Sequence, residues 1–240
     1  MQRPAAILID LDDTILSSLG GQREAWAEVL AGYDGRFGEH DHGAVHAGVL
    51  AASRSLWEDA ESHRHWRQDI RAARREVVRR AFAALALDDT ALGHHVADRF
   101  SDHRDAAMFL FPGAVDALEA LRARGITLAL VTNGGAEAQR AKIERFDLAR
   151  HFDHILVEGE FGRGKPEPEV FHHLMACCGS SPETTWVVGD NLEWEVVAPQ
   201  KLGIHAVWCD AHRRGLPEGC AIVPDRIIHQ LPELLEGIDP

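Results

Sequence analysis

The chain alternates short apolar runs with segments of helical character, and this alternation is interrupted once. The apolar runs lie at residues 6–9, 126–132, 152–157, 184–190 and 204–209. Each run is short, almost continuously apolar and followed by polar or turn residues, which is typical of strands buried on both faces of a sheet. Repeated strand–helix units predict an α/β fold, with a doubly wound parallel sheet covered by helices on both faces.

The interruption covers residues 17–105, where no segment has the pattern of a strand and Ala, Arg, Glu and His dominate. Within it we expect one helix at residues 22–30 and one or two long helices over about residues 44–86, where Ile70, Ala73, Val77 and Ala81 recur at helical spacing. A third helix is expected over about residues 90–104, with Asp89 in its start signal. The pattern predicts an inserted all-helical domain at residues 17–105. The α/β core domain would then consist of residues 1–16 and 106–240.

The first apolar run leads into an acidic cluster that contains Asp10, Asp12 and Asp13. Side chains alternate along a strand, so Asp10 and Asp12 start on the same side. Two carboxylates this close need a cation or a proton between them. Taken alone, the cluster fits an Asp-rich turn as well as it fits a functional site.

Further polar residues follow the later strands, at the edge where the carboxyl ends of parallel strands open onto one crevice. They are Thr132, Asn133, Lys165, Asp190, Asn191 and Glu195. Asp10, Asp190 and a backbone carbonyl are the hard oxygen ligands that suit Mg²⁺. Lys165 and Thr132 suit the oxygens of a phosphate. The combination predicts a site for phosphoryl transfer.

These segments, in this order, resemble the four motifs of the haloacid dehalogenase superfamily over nearly the whole chain. ILIDLDDTIL resembles its first motif, LALVTNGG its second, GRGKPEPEVF its third and VVGDNLEWEV its fourth. The resemblance implies the Rossmann-like core of that superfamily. It also implies that the helical insertion is a cap domain.

Carried over by position, the resemblance implies that Asp10 attacks phosphorus and becomes an aspartyl-phosphate. Asp12 would protonate the leaving oxygen and then deprotonate the hydrolytic water. Asp10, the backbone carbonyl of Asp12 and Asp190 would bind Mg²⁺. The transferring phosphoryl group would be held by Thr132, Asn133 and Lys165.

One position departs from the family pattern, because Glu195 stands where the fourth motif usually has a second Asp. The longer side chain either reaches the metal through water or pairs with Lys165. Asn191 is expected to hold other residues of the site in place, without contacting the substrate. Asp13 is expected to face solvent.

Two features narrow the chemistry within the family. Dehalogenases lack an acid/base Asp two residues after the nucleophile, whereas this chain has Asp12. Phosphonate-cleaving members use a lysine of the cap, and residues 17–105 contain none. The prediction is a Mg²⁺-dependent hydrolase that removes phosphate from a small phosphorylated metabolite. The alternatives are a sugar phosphomutase of the same superfamily and a phospho-accepting or binding protein without turnover.

Composition adds limits on partners and compartment. The net charge of −13 argues against a nucleic-acid partner. No apolar run approaches the length of a membrane span, and the residues before the first strand lack the pattern of a signal peptide, so we expect none. The four cysteines lack CxxC spacing, which favours free thiols in a reducing compartment. We therefore expect a cytoplasmic monomer or homodimer that acts on a small phosphorylated molecule, with no nucleic acid or membrane partner.

Overall fold

The computed structural model describes residues 3–18 and 21–238. The chain divides into two compact units, one formed by Met1–Ser17 with Phe109–Pro240 and the other by Ser18–Met108. The first unit is an α/β layer structure and the second is helical, so the predicted fold class is confirmed.

The described residues form eight strands. They are β1 (Ala6–Ile9), β2 (Leu16–Ser17), β3 (Phe109–Leu110), β4 (Thr127–Thr132), β5 (His154–Val157), β6 (Thr185–Gly189), β7 (His205–Cys209) and β8 (Arg226–Ile228). Six of them make one sheet in the order β5-β4-β1-β6-β7-β8, and all of its pairs are parallel. The chain moves outward from β1 on one side to β4 and β5, then returns to build β6 to β8 on the other. This reversal places a crevice at the carboxyl ends of β4, β1 and β6.

The helices follow in chain order. They are α1 (Gln22–Ala31), α2 (His42–Glu58), α3 (Ala60–Trp66), α4 (Ile70–Ala84), α5 (Thr90–Ala107), α6 (Ala114–Ala123), α7 (Ala136–Arg145), α8 (Glu158–Phe161), α9 (Pro168–Cys178) and α10 (Ala198–Lys201). A π-helical turn covers Leu192–Val197, and 3-10 turns cover Ala149–His151, Pro182–Thr184 and Leu231–Leu235. Within the described chain, no helix combines the length and the hydropathy needed to cross a bilayer.

The central strand β1 carries the core of the α/β unit, because all four of its residues are buried. Leu8 lies between Ala129 of β4 and Val187 of β6, and α9 covers this layer with Phe171. Each fully buried aliphatic side chain of this kind stabilises the fold by about 1.5–3 kcal/mol. The strand is therefore held on both edges and one face, which gives its last residues a defined position.

The helical unit has its own core and clear helix starts. Asp41, Asp59, Asp69 and Asp89 are the N-caps of α2 to α5, and each side chain accepts a hydrogen bond from the backbone three residues later. These caps explain why the stretch around residues 44–86, expected to be one or two long helices, forms three. A ring pair closes the core, with Trp26 stacked on Phe100 at a centroid distance of 3.5 Å.

A short antiparallel pair, β2 with β3, was not predicted. Leu16 pairs with Leu110 and Ser17 with Phe109, on either side of the helical insertion. Two residues are too few to show the alternation that identifies a strand in a sequence.

Candidate active site

Asp10 directly follows β1, at the carboxyl edge of the sheet. Its backbone N–H donates to the carbonyl of Val188 at 2.9 Å, which continues the pairing with β6. Its side chain lies 2.5 Å from Lys165, measured from Oδ1 to Nζ, and the residue is only 6% exposed. Burial raises the pKa of Asp10, and the nearby Lys165 opposes that shift. The structure thus places a buried carboxylate at the position predicted for the nucleophile.

Lys165 reaches this carboxylate from the loop between α8 and α9. Its Nζ lies 2.5 Å from Asp10 Oδ1 and 2.7 Å from Glu195 Oε1, and it donates to the carbonyl of Val131 at 2.9 Å. The contacts with Asp10 and Val131 are hydrogen bonds, and the contact with Glu195 is a close ion pair, so three oxygens surround the ammonium group. Burial alone would lower the pKa of Lys165, but the attraction of the two carboxylates outweighs it and raises that pKa above its usual value. Lys165 is therefore a permanent positive charge in the site.

Asn133 holds the loop that carries Lys165. Its Nδ2 donates to the carbonyl of Lys165 at 2.7 Å, and its Oδ1 accepts from the backbone N–H of the same residue at 2.8 Å. Gly164 permits this close approach, since a Cβ there would lie 2.6 Å from Asn133 Oδ1. The side chain expected at the phosphate is thus engaged with the backbone of Lys165.

Glu195, which departs from the family pattern, pairs with Lys165. Its Oε1 is 2.7 Å from Lys165 Nζ, and its Oε2 accepts from the backbone N–H of Asn191 at 2.8 Å. Gly189 leaves the necessary room, because a Cβ there would come within 2.2 Å of Glu195 Cγ. Of the two roles considered for Glu195, the direct ion pair is the one observed.

Asn191 has a local structural role at the same turn. Its Oδ1 accepts from the backbone N–H groups of Glu193 and Trp194, at 3.0 and 3.1 Å. It thereby caps the π-helical turn from which Glu195 extends. Asn191 thus supports the site indirectly, by fixing the position of Glu195.

Asp190 leaves the cluster with excess negative charge. Burial, followed by repulsion from Asp10 and Glu195, raises the pKa of Asp190 to about 9. Burial likewise raises the pKa of Glu195 to about 7, although Lys165 opposes the shift. Among residues 3–18 and 21–238, no donor or cation is paired with the Asp190 carboxylate. Three carboxylates thus face one lysine.

This charge imbalance and the all-oxygen set of donors fit a hard divalent cation. The described residues contain no group of three or more His, Cys, Asp or Glu side chains with metal-binding geometry. The predicted Mg²⁺ ligands include only two such side chains, the carboxylates of Asp10 and Asp190, and the third ligand is the backbone carbonyl of Asp12.

Asp12 has different partners from Asp10. Lys142 Nζ lies 2.7 Å from its Oδ1 and 2.8 Å from its Oδ2. Gln139 Nε2 donates to Asp12 Oδ2 at 2.9 Å and also contacts Thr132 Oγ1 at 2.5 Å. Because Gln139 and Lys142 are three residues apart on α7, both point from the same helix face. The structure therefore links Asp12 to Thr132 through a helix that lies outside the four sequence motifs.

The signal that could have revealed this helix was its position. α7 starts three residues after β4 ends, so its first turns must lie beside the carboxyl edge of the sheet. A Gln and a Lys at i and i+3 on that helix then become candidates for contact with the acidic cluster.

The expectation that Asp13 faces solvent is wrong. Asp13 is 2% exposed, and its Oδ1 lies 2.9 Å from Nε2 of His212, in the loop after β7. The strand has ended at Ile9, and Asp13 has a φ of 58°, which lies in the left-handed region. Strand alternation therefore no longer determines where its side chain points.

A doubly wound sheet with a buried carboxylate–lysine cluster at its carboxyl edge is an arrangement typical of α/β enzymes. The chain belongs to the haloacid dehalogenase-like hydrolase family, whose model matches residues 4–203. The resemblance of the four motifs is thereby confirmed.

The chain is similar to phosphatases along its whole length. It is 30% identical to the phosphoserine phosphatase of Thermus thermophilus, over 95% of this chain and 96% of that protein. It is 27% identical to the N-acylneuraminate-9-phosphatase of Rattus norvegicus, over 100% of this chain and 96% of that protein. Among solved structures, the putative HAD-hydrolase YfnB from Bacillus subtilis, bound to magnesium, matches with a TM-score of 0.69 at 27% identity and complete coverage of both chains.

Proposed function

We propose that this hydrolase is a Mg²⁺-dependent phosphatase that cleaves a small phosphomonoester through an aspartyl-phosphate on Asp10. Its membership of the family and its full-length phosphatase relatives support phosphomonoester hydrolysis. The observation that carries the proposal is that two neighbouring carboxylates, those of Asp10 and Asp12, have different partners and different surroundings. Asp10 is paired with the buried Lys165, whereas Asp12 is paired with Lys142 at a partly exposed position. Two carboxylates in different surroundings can take different chemical roles.

In the first step, a carboxylate oxygen of Asp10 forms a bond to phosphorus while the bond from phosphorus to the leaving oxygen breaks. The electron pair of the broken bond goes to the leaving oxygen, which takes a proton from Asp12. Lys165 holds Oδ1 of Asp10, whereas Oδ2 accepts only a long hydrogen bond of 3.4 Å from Thr14 Oγ1 and would make the attack. Thr132 accepts from Gln139, so its own hydroxyl hydrogen is available for a phosphoryl oxygen.

In the second step, water attacks the phosphorus of the aspartyl-phosphate and gives a proton to Asp12. The bond between phosphorus and Asp10 breaks, and its electron pair restores the carboxylate. The balanced result is an alcohol and inorganic phosphate from a phosphomonoester and water. Asp12 ends each cycle with the proton that it donates in the next.

The carboxylates of Asp10 and Asp190 and the backbone carbonyl of Asp12 are the groups that would hold Mg²⁺. The unbalanced charge at Asp190 supports this assignment. When bound, the ion would offset the negative charge of the phosphoryl group and of the carboxylates around it.

The test compares phosphate release by the wild-type protein and by Asp10→Asn, with p-nitrophenyl phosphate and phosphoserine as substrates. We expect release in the presence of Mg²⁺ and none after treatment with EDTA. The substitution removes the nucleophile, so turnover should fall by at least about a thousandfold. Asp116→Asn is the matched control, because Asp116 is an exposed residue of α6 and should leave turnover unchanged.

The covalent step is tested separately by acid quenching the enzyme with radiolabelled substrate. Label should remain on the wild-type chain and be absent from Asp10→Asn. Normal turnover by Asp10→Asn would exclude Asp10 as the nucleophile. A phosphoenzyme that never releases phosphate would favour a phospho-accepting protein, and an isomerised sugar phosphate would favour a phosphomutase.

A further inference from the structure

The proposed reaction needs Asp12 at two moments, once as an acid and once as a base, and two residues of α7 contact its carboxylate. Lys142 contacts both oxygens of the carboxylate, at 2.7 and 2.8 Å, and Gln139 contacts one of them at 2.9 Å. The same residues have no part in the family motifs that identified the site.

We propose that Lys142 and Gln139 are positioning residues that hold the Asp12 carboxylate in the direction required for proton transfer to and from the reacting oxygens. The inference rests on the proposed function of Asp12. It adds to that function the part of the chain that directs this carboxylate.

The ion pair of Lys142 with Asp12 differs from the surface pairs of the molecule. The side chains of Lys142 and Asp12 are 18% and 24% exposed. Two positions earlier on the same helix, Arg140 pairs with Glu160, and these side chains are 44% and 40% exposed. Exposed ion pairs usually contribute little, because water screens them and both side chains must be ordered. Both pairs engage both oxygens of the carboxylate, but the Lys142–Asp12 pair is less exposed, so water screens it less and its carboxylate is held more firmly.

Gln139 connects this carboxylate to the phosphoryl-binding part of the site. It is 3% exposed, and its Nε2 lies 2.5 Å from Thr132 Oγ1, 2.8 Å from the carbonyl of Asn133 and 2.9 Å from Asp12 Oδ2. The two hydrogens of this amide are shared among three acceptors, and the group lies between the proton-transferring carboxylate and the hydroxyl proposed to bind phosphate. A displacement of about 1 Å at such a group can cost about a hundredfold in rate.

The test uses two substrates that differ in their need for an acid. p-Nitrophenolate is a stable anion and can leave without a proton, whereas an alkoxide cannot. General acid catalysis contributes about 10²–10⁴-fold when it is required. If Lys142 positions the acid, Lys142→Met should lower kcat/KM for phosphoserine much more than for p-nitrophenyl phosphate. We define the ratio as kcat/KM for phosphoserine divided by kcat/KM for p-nitrophenyl phosphate. We expect this ratio to fall by about tenfold or more in Lys142→Met.

Three further variants complete the comparison. Arg140→Met removes a positive charge from the same helix without touching Asp12, so its ratio should equal that of the wild type. Lys142→Arg retains a cation that can grip both oxygens, and it should restore most of the ratio. Asp12→Asn should change the ratio in the same direction as Lys142→Met and further. If Lys142→Met does not fold, as judged by circular dichroism, the ratio is measured with Lys142→Gln.

Each result decides between a positioning role and a structural one. A ratio that falls in Lys142→Met and recovers in Lys142→Arg supports the inference. Equal losses for both substrates, or no loss for either, overturn it and leave Lys142 as a structural ion pair. The proposed function fails separately, when the wild-type protein releases no phosphate from either substrate.

Discussion

At the scale of single residues, the site is organised by two lysines that serve different carboxylates. The chain contains three lysines, and Lys165 and Lys142 pair with Asp10 and Asp12 while Lys201 is exposed at the end of α10. A lysine ammonium is a compact point charge with three donors, which matches the three acceptors around Lys165. The broader guanidinium of an arginine would not fit the same buried space without moving them.

Glu195 gives a prediction about stability at this scale. Glu195→Gln removes one of the two carboxylates paired with Lys165, in a place where the side chain is 1% exposed. Hydrogen bonds to charged groups contribute about 1.5–3 kcal/mol, so the free energy of unfolding should fall by about that amount. Urea denaturation followed by tryptophan fluorescence measures the change.

Glu193→Gln is the control for this prediction, because Glu193 is an exposed residue of the same turn. It should change the free energy of unfolding by less than about 0.5 kcal/mol. Equal effects of the two substitutions would contradict the assigned role of the Glu195–Lys165 pair.

The residues that sequence predicted are those delivered by strand ends. Asp10, Thr132, Lys165 and Asp190 follow apolar runs or a loop beside them, and parallel strands bring such positions to one edge. Asp13 and the Gln139–Lys142 pair were misjudged or missed for a different reason. Their positions depend on a turn with positive φ and on the face that a helix presents, and neither is determined by strand periodicity.

At the scale of elements, the end of β6 and the π-helical turn after it form one unit. The turn, Leu192–Val197, follows β6 by two residues and carries Glu195 across Gly189. π-Helical turns are uncommon and occur frequently at functional sites, where they redirect a side chain. Here the turn brings a carboxylate back over the strand to Lys165.

Gly189→Ala tests this arrangement. A Cβ at this position would lie 2.2 Å from Glu195 Cγ, so the glutamate must move and its contact with Lys165 must change. We expect a loss of at least about 1–3 kcal/mol of stability from overpacking, together with reduced turnover. Thermal unfolding and phosphate release measure the two effects.

Gly48→Ala is the control for the effect of an added methyl group. Gly48 is a residue of α2, and a Cβ there would meet Ala81 Cβ at 3.6 Å, an ordinary contact. Since alanine favours a helix over glycine, this variant should be stabilised by about 0.5–1 kcal/mol and remain active. An active and stable Gly189→Ala protein would show that Glu195 does not need its observed position.

Element boundaries show which parts of the fold a sequence determines. The strands β4, β6 and β7 were predicted to within two residues because continuous burial gives them a clear apolar pattern. The start of α5 was also predicted, since Asp89 caps it. The breaks between α2, α3 and α4 were not, because their caps, Asp59 and Asp69, lie among many other charged residues on a helical surface.

At the scale of the whole molecule, the chain carries a net charge of −13, and three of its carboxylates, those of Asp10, Asp190 and Glu195, lie around the cation Lys165. In the metal-free protein, burial raises the pKa of Asp190 from 3.8 to about 9 and that of Glu195 from 4.5 to about 7. Between those values the folded state binds more protons than the unfolded state, so the free energy of unfolding falls as pH rises. The free-energy cost of ionising these two buried groups is absent only at pH values below their unfolded-state pKa values.

If Mg²⁺ binds where we propose, it should counteract the fall in the free energy of unfolding as pH rises. Metal binding requires ionised carboxylates, so the ion competes with protons for Asp10 and Asp190. A ligand that binds only the folded state stabilises it in proportion to the logarithm of its concentration over its dissociation constant. The gain in melting temperature from saturating Mg²⁺ over EDTA should therefore be larger near about pH 8.5 than near about pH 6, because protons occupy the site at the lower value.

Asp190→Asn separates this effect from a general action of Mg²⁺ on an acidic protein. The substitution removes a carboxyl group whose pKa is raised to about 9, chiefly by burial, and whose ionised form the metal is proposed to stabilise. It should raise the stability of the metal-free protein at high pH and abolish most of the gain from Mg²⁺. Nonspecific screening of the negative surface would instead give the same gain in both proteins, and it would be reproduced by raising NaCl to equal ionic strength. A gain that is independent of pH, or that survives in Asp190→Asn, would place the cation elsewhere than at the carboxyl ends of β1 and β6.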